Sequence, residues 1–274
     1  MDLNLMAKEI RRGIITCIGA LGVGHIGGSL SIAEVLAALY FKHMRIDPSN
    51  PGMIGRDRLV VSKGHAGPAV YAALSARGYF PQELLLTLNQ SNTFLPSHCD
   101  MNKTPGVDMT TGSLGQGFSC AMGIAKASLL RGDGARIYTI IGDGESQEGQ
   151  IWEAAMFGAH HRLENVIAFT DANGYQIDGA VEEICALAPL DKKWEAFGWN
   201  VINADGHDAD EIDAAITAAQ GLCNGKPTMV ILKTVKGRGV SFIEAAKAGN
   251  HNMSLSGAQA EAALKELEGD KGNV

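Results

Sequence analysis

Two apolar runs that end in polar, glycine-rich tips constrain this chain more than any other feature. Ile137 to Ile141 closes on Gly142-Asp143-Gly144, and Val166 to Thr170 closes on Asp171-Ala172-Asn173-Gly174. Continuous apolar runs of this length suit strands buried on both faces, as in a parallel sheet. One helix and one strand separate Asp143 from Asn173, so a crossover connection returns both tips to the same edge. Ligands of open parallel sheets bind in the crevice beyond the carboxyl ends of the strands. An Asp and an Asn there offer hard oxygens to Mg²⁺ or Ca²⁺, while the glycines let the backbone approach an anion. Either motif alone is no more than a turn signal. The pair reads as a site for a metal-bridged diphosphate.

The rest of the chain agrees with that sheet. Apolar positions at helical spacing run over residues 4 to 20 and stop at Gly22 and Gly24, after which GHIGGSLS forms a glycine-rich loop around His25. Ser31 and Glu34 have capping-box spacing at the head of a helix that runs to about Phe41. A short strand, Leu59 to Ser62, opens through Lys63-Gly64-His65 into another helix, and 91 to 109 is a long polar loop containing His98. Ser113 and Gln116 repeat the capping-box spacing, and the helix behind them buries Leu114, Phe118, Ala121, Met122, Ala125 and Leu129. Strands and helices then alternate to about residue 235, and a tail from about Gly237 wraps over the site. The predicted fold is α/β, doubly wound, with a mainly parallel sheet covered by helices on both faces, in a single domain over 1–274.

Composition removes several function classes. Of 274 residues, 23 are basic and 30 acidic, a net charge of -7, which argues against nucleic acid or an anionic membrane as partner. The five cysteines are scattered, odd in number and without a CxxC pair, which suits buried thiols in a reducing compartment better than a disulfide framework or a zinc site. Gly13 to Ala33 has no charged residue and follows Lys8, Arg11 and Arg12 in the manner of a signal peptide, but six glycines and His25 interrupt it. A soluble cytoplasmic chain is the better reading.

His25, His65 and His98 all lie in segments expected to emerge at the sheet edge that carries Asp143 and Asn173. Imidazoles there suit sugar hydroxyls and proton transfer near neutral pH. His43, His160, His161 and His207 fall on helices or helix starts and read as surface residues.

Taken together, GDGxxQEG, the following Asn173, the SKGH box and the TTGSLGQG box resemble the N-terminal, diphosphate-binding half of transketolase, in the right order over roughly residues 10 to 252. The resemblance implies the thiamine diphosphate-binding fold, with thiamine diphosphate and Mg²⁺ (or Ca²⁺ or Mn²⁺) as cofactors. It implies that Asp143, Asn173 and the carbonyl of Tyr175 hold the metal. Gly142, Gly144, His65 and Asn173 would line the diphosphate, the backbone of Gly112, Ser113 and Leu114 would meet the aminopyrimidine, and Ile177 would pack near the thiazolium. His25, His65 and His98 match the histidines around the reacting sugar, His251 matches one more, and Glu148 matches a glutamate that couples two active sites. The first box reads GHIGG where the family usually has proline after the histidine, and HNMSL around His251 departs from the usual run.

A full-length transketolase carries a pyrimidine-binding domain, with the glutamate that activates the cofactor, and a C-terminal domain. Neither is expected in this chain, so the resemblance implies a split enzyme: a complementary C-terminal subunit completes the site, with two copies of each chain. The expected activity is transfer of a two-carbon ketol (glycolaldehyde) unit from a ketose, expected to be phosphorylated, to an aldose. Alternatives are another thiamine-diphosphate enzyme subunit, similar to deoxyxylulose-phosphate synthase or a 2-oxo acid dehydrogenase, or a non-catalytic cofactor-binding scaffold.

Overall fold

A computed structural model of the protein describes residues 1–269. Its strands are, in chain order, β1 (Val23–Gly24), β2 (Arg58–Val61), β3 (Ile137–Gly142), β4 (Val166–Ala172), β5 (Asn200–Asp205), β6 (Thr228–Lys233) and β7 (Met253–Ser254). β2 to β6 make one five-stranded sheet in the order β2-β3-β4-β6-β5, and every pairing within it is parallel. The two apolar runs are the adjacent strands β3 and β4. Their register sets Gly142 opposite Asp171, so both polar tips leave the sheet side by side.

Side chains alternate across a strand, and here both faces are buried. Tyr138, Ile140, Ile167 and Phe169 point to a core completed by Ile10, Ile14, Leu36 and Leu74. Ile137, Ile141, Val166 and Ala168 point to a second core built on Phe118, Met122, Trp194 and Trp199. This two-faced burial is what the unbroken apolar runs required.

The first helix, Leu3–Leu21, starts where the Asp2 carboxylate accepts from the amides of Asn4 and Leu5, and ends at Gly22 with φ 86°. The uncharged stretch from Gly13 is therefore core: Ile14, Ile18, Ile26 and Leu30 are fully buried. The final helix, Gly257–Gly269, packs on Leu3–Leu21 through Ala263 and Leu267. Contact is close because Gly19 carries no Cβ, which would stand 2.7 Å from that of Ala260.

Some local expectations fail for tertiary reasons. Neither capping box forms. The helix Ala33–Ala38 begins without a side-chain cap, because Ser31 and Glu34 bond to distant partners. Gln116–Arg131 begins at Gly115, with φ 84° and no side-chain cap. Leu129 is 43 % exposed rather than buried, and Leu130 beside it is 77 % exposed. The helix expected to reach Phe41 is regular only to Ala38, and Leu39–His43 continues as a wider π turn.

Candidate functional site

The tips of β3 and β4 form one shelf. The Asp143 carboxylate accepts the amide of Gly144 at 2.7 Å and that of Gly174 at 2.6 Å, which binds the two loops together. Among the described residues no lysine or arginine pairs directly with Asp143. Burial, and then the negative charge of Asp171, push its carboxyl up to about 6. Asn173 accepts the Tyr175 amide at 3.1 Å with its oxygen and donates to Asp171 at 2.8 Å. The Tyr175 carbonyl accepts from the Lys236 ammonium at 3.2 Å. Asp143 and Asn173 therefore stand together with their oxygens at one edge, as expected.

Beneath the shelf lies a hub that sequence reasoning missed. Asp171, 0 % exposed, accepts from Lys63 and Ser31 at 2.6 Å each, from Asn173, and from the Thr234 hydroxyl. Burial opposes its ionisation, but the Lys63 charge and these hydrogen bonds outweigh that and hold it below the usual carboxylate range. Glu145, also buried, accepts from Ser62 at 2.5 Å, from the Gly115 amide at 2.8 Å and from the Gly142 amide at 3.0 Å. One carboxylate thus ties the SKGH, TTGSLGQG and GDG segments together. A Cβ on Gly64 would stand 2.5 Å from the Thr111 carbonyl carbon, so two of these segments cross where only glycine fits.

The four candidate histidines form one cluster. The His25 ring lies 5.4 Å from His65, 5.4 Å from His98 and 5.5 Å from His251, and His65 lies 4.8 Å from His251. His25 and His65 leave glycine-rich turns, and His98 is oriented by Ser97 at 2.9 Å. His251 arrives through a feature with no sequence signal. β1 and β7 pair antiparallel, Val23 with Ser254 and Gly24 with Met253, so His25 and His251 leave adjacent ends of one ribbon. The tail thus reaches the site at His251, and its last helix packs elsewhere.

Burial comes first among the causes that keep these rings neutral. His65 lies well below the ordinary histidine range, with the Lys63 charge adding to burial. His251 is lowered to about 4, with Lys236 and His25 adding. His25 and His98 are lowered too. Lys236, another residue sequence reasoning missed, stands 3.2 Å from His251 Nδ1, and burial followed by the Lys63 charge lowers its ammonium to about 8. A neutral imidazole can both accept and donate a proton, so the cluster is equipped to handle hydroxyl groups.

Of the remaining predicted residues, Gly112 lies against the histidine cluster. The backbone of Gly112 passes His98, whose Cδ2 would be 3.4 Å from an added Cβ, and Gly112 and Ser113 are exposed while Leu114 is half-buried. Ile177 is 65 % exposed on the loop after β4. Glu148 is exposed ahead of the helix Gly149–His160. Two of the four supposed surface histidines are not on the surface. The His43 side chain is 6 % exposed and pairs with Asp213 at 2.8 Å, and that of His207 is 8 % exposed and faces Glu34 at 3.3 Å.

Comparison with known proteins gives the family of the chain. Residues 3–271 match the family model described as transketolase, thiamine diphosphate binding domain. The chain belongs to that family, and with it to the transketolase class of transferases. It is similar to a 6-deoxy-6-sulfo-D-fructose transketolase subunit, SqwG, of Clostridium sp. strain MSTE9, with 59% identity over 98% of this chain and 97% of that protein. It is also similar to an apulose-4-phosphate transketolase subunit of Actinobacillus succinogenes, with 40% identity over 97% and 96% of the two chains. Among solved structures, a transketolase from Campylobacter jejuni superposes with a TM-score of 0.89 at 29% identity, covering 98% of this chain but 43% of that one. The chain thus spans less than half of that solved transketolase, yet nearly the whole of relatives that are named subunits.

Proposed function

We propose that this chain is the diphosphate- and metal-binding half of a split transketolase, acting in the cytoplasm with a complementary subunit, two copies of each, and that its donor is a ketose with an anionic tail. The observation that carries the reading is the cluster of four histidines beside the Asp143–Asn173 shelf. A 6-deoxy-6-sulfo ketose is favoured over apulose 4-phosphate because the sulfo-sugar relative is the more similar, 59% against 40%.

The donor set fits the cofactor. Asp143 is a buried carboxylate with no direct cationic partner among the described residues, and hard oxygens of this kind suit a divalent ion. The Asp143 carboxylate and the Asn173 oxygen would hold the ion, joined by the Tyr175 carbonyl, which in this structure accepts from Lys236. Mg²⁺ is the expected ion, with Ca²⁺ or Mn²⁺ as substitutes. Gly142, Gly144, His65 and Asn173 would line the diphosphate, the Gly112 to Leu114 backbone would meet the aminopyrimidine, and Ile177 would pack near the thiazolium. When bound, thiamine diphosphate supplies the nucleophilic carbon and the electron sink for breaking the bond between carbons 2 and 3 of a ketose. His25, His65, His98 and His251 bind the sugar hydroxyls and move the proton that such a cleavage releases. Lys236, held between the Tyr175 carbonyl and His251 Nδ1, would add a positive charge near a bound diphosphate. Glu148 lies at the subunit contact and links one active site to its twin.

The test is reconstitution. The chain, its partner, thiamine diphosphate and Mg²⁺ together transfer the ketol unit, and Asp143→Ala abolishes this and weakens metal binding. Activity from the chain alone would overturn the split, and unchanged metal affinity in Asp143→Ala would overturn the metal assignment.

A further inference from the structure

We propose that His207, Glu34 and Arg11 form a buried clamp whose purpose is to position Lys236 at the cofactor site; the inference rests on the function proposed above. Lys236 lies on the segment that leaves β6, residues 234 to 239. Its ammonium ends a flexible four-carbon stem, so its placement depends on how firmly the backbone beneath it is held. That backbone is held on both sides of Lys236 by one chain of contacts. The Val235 amide donates to His207 Nε2 at 2.7 Å. On the other side of the ring, Nδ1 stands 3.3 Å from Glu34 Oε2, a contact at ion-pair distance that lacks hydrogen-bond geometry. Glu34 Oε1 takes Arg11 at 2.5 Å, and Arg11 Nε donates to the Arg238 carbonyl at 3.0 Å. The clamp therefore starts one residue before Lys236 and returns two residues after it.

Three features argue for positioning rather than simple packing. Arg11, Glu34 and the His207 side chain are 8 %, 5 % and 8 % exposed, and burying such groups stabilises a fold no better than well-packed apolar residues would. Their hydrogen bonds end on backbone groups of the segment that carries Lys236. A second clamp also meets this segment: buried Asn250, the neighbour of His251, donates to the Lys236 carbonyl at 3.0 Å and to the Ile243 carbonyl at 2.8 Å. Close fit at Gly206 completes the arrangement, since a Cβ there would stand 2.3 Å from Thr234 Cγ2.

The test uses His207→Ala, His207→Gln, Lys236→Met and the double variant His207→Ala/Lys236→Met. Amide exchange is read on the full chain, and thiamine diphosphate affinity is read by calorimetry on the complex with its partner and Mg²⁺. His207→Ala is expected to speed exchange of the Val235 amide and to weaken the cofactor about 10-fold, the usual cost of losing an outer positioning contact. His207→Gln can still accept from Val235, and is expected to stay close to wild type in both readouts. In the Lys236→Met background His207→Ala should add little, because it acts through Lys236. Unchanged Val235 exchange in His207→Ala, or a full additional loss of affinity in the double variant, overturns the inference while wild-type binding leaves the proposed function standing. If the wild-type complex takes up no cofactor, the proposed function fails and this inference falls with it. Should His207→Ala not fold, Gly206→Ala displaces the same segment and is read in the same two assays, with the same outcomes deciding.

Discussion

Lys63→Met is expected to destabilise the chain by about 3 kcal/mol, the lower end of the cost of stripping one partner from a buried ion pair. The Lys63 and Asp171 side chains are 2 % and 0 % exposed, with Nζ and Oδ2 2.6 Å apart. At that distance and an effective dielectric near 20 the attraction is about 6 kcal/mol, most of it cancelled in the intact pair by desolvation of both ions. Methionine keeps the stem's apolar bulk but leaves Asp171 charged and dry. The donors that remain, Ser31, Thr234 and Asn173, soften the loss and place the expected cost at the lower end. The Gly28 carbonyl also loses its 2.6 Å bond from Lys63. Urea unfolding at pH 7 measures the effect, which should appear at unchanged slope. Adding Asp171→Asn should recover part of it, because the uncompensated charge disappears. A loss under about 1 kcal/mol, the worth of an exposed pair, would refute the reasoning, as would strict additivity in the double variant.

Other outcomes follow from the same geometry. Gly64→Ala should cost about 1–3 kcal/mol as an overpacking change, read by thermal unfolding, since its Cβ would meet Thr111 backbone at 2.5 Å. Glu145→Gln turns one of its two acceptor oxygens into a donor facing an amide or hydroxyl it now accepts from, and should cost about 1–3 kcal/mol by the same measurement. His251 should make the chain less stable as pH falls. The folded state keeps it neutral down to about 4 while the unfolded chain takes the proton near the ordinary histidine value of 6.5, so stability is unaffected above 6.5 and declines from there toward 4. Urea midpoints across that window should fall less steeply in His251→Asn, and an equal slope would show that other groups cause the decline.

The legible part of this molecule was its period and its punctuation. Ile137 to Ile141 and Val166 to Thr170 read as buried strands because a parallel sheet hides both faces, and Asp143 and Asn173 read as neighbours because each ends such a strand. His25, His65 and His98 were legible through the glycine and proline turns beside them. What stayed hidden depended on partners far along the chain. Ser31 and Glu34 have the spacing of a cap, but Asp171, Arg11 and His207 claim their side chains. β1 and β7 are two residues each, Val-Gly and Met-Ser, too short for any propensity to speak, although they join His25 to His251. Lys63 and Asp171 left a faint signal: opposite charges just beyond the ends of two apolar runs, where a lone buried charge would be costly. His207 looked like a surface residue because its helix-start position says nothing of the loop that packs over it.

The central claim is that this chain holds the cofactor's diphosphate and metal, and that a second polypeptide supplies the activating carboxylate. It is tested most directly by measuring ketol transfer from a 6-deoxy-6-sulfo ketose to an aldose acceptor, with purified chain, purified partner, thiamine diphosphate and Mg²⁺, each omitted in turn. The account predicts turnover only when all are present, with the sulfo ketose preferred to apulose 4-phosphate. Turnover without the partner, or none in the full mixture with either donor, would contradict it.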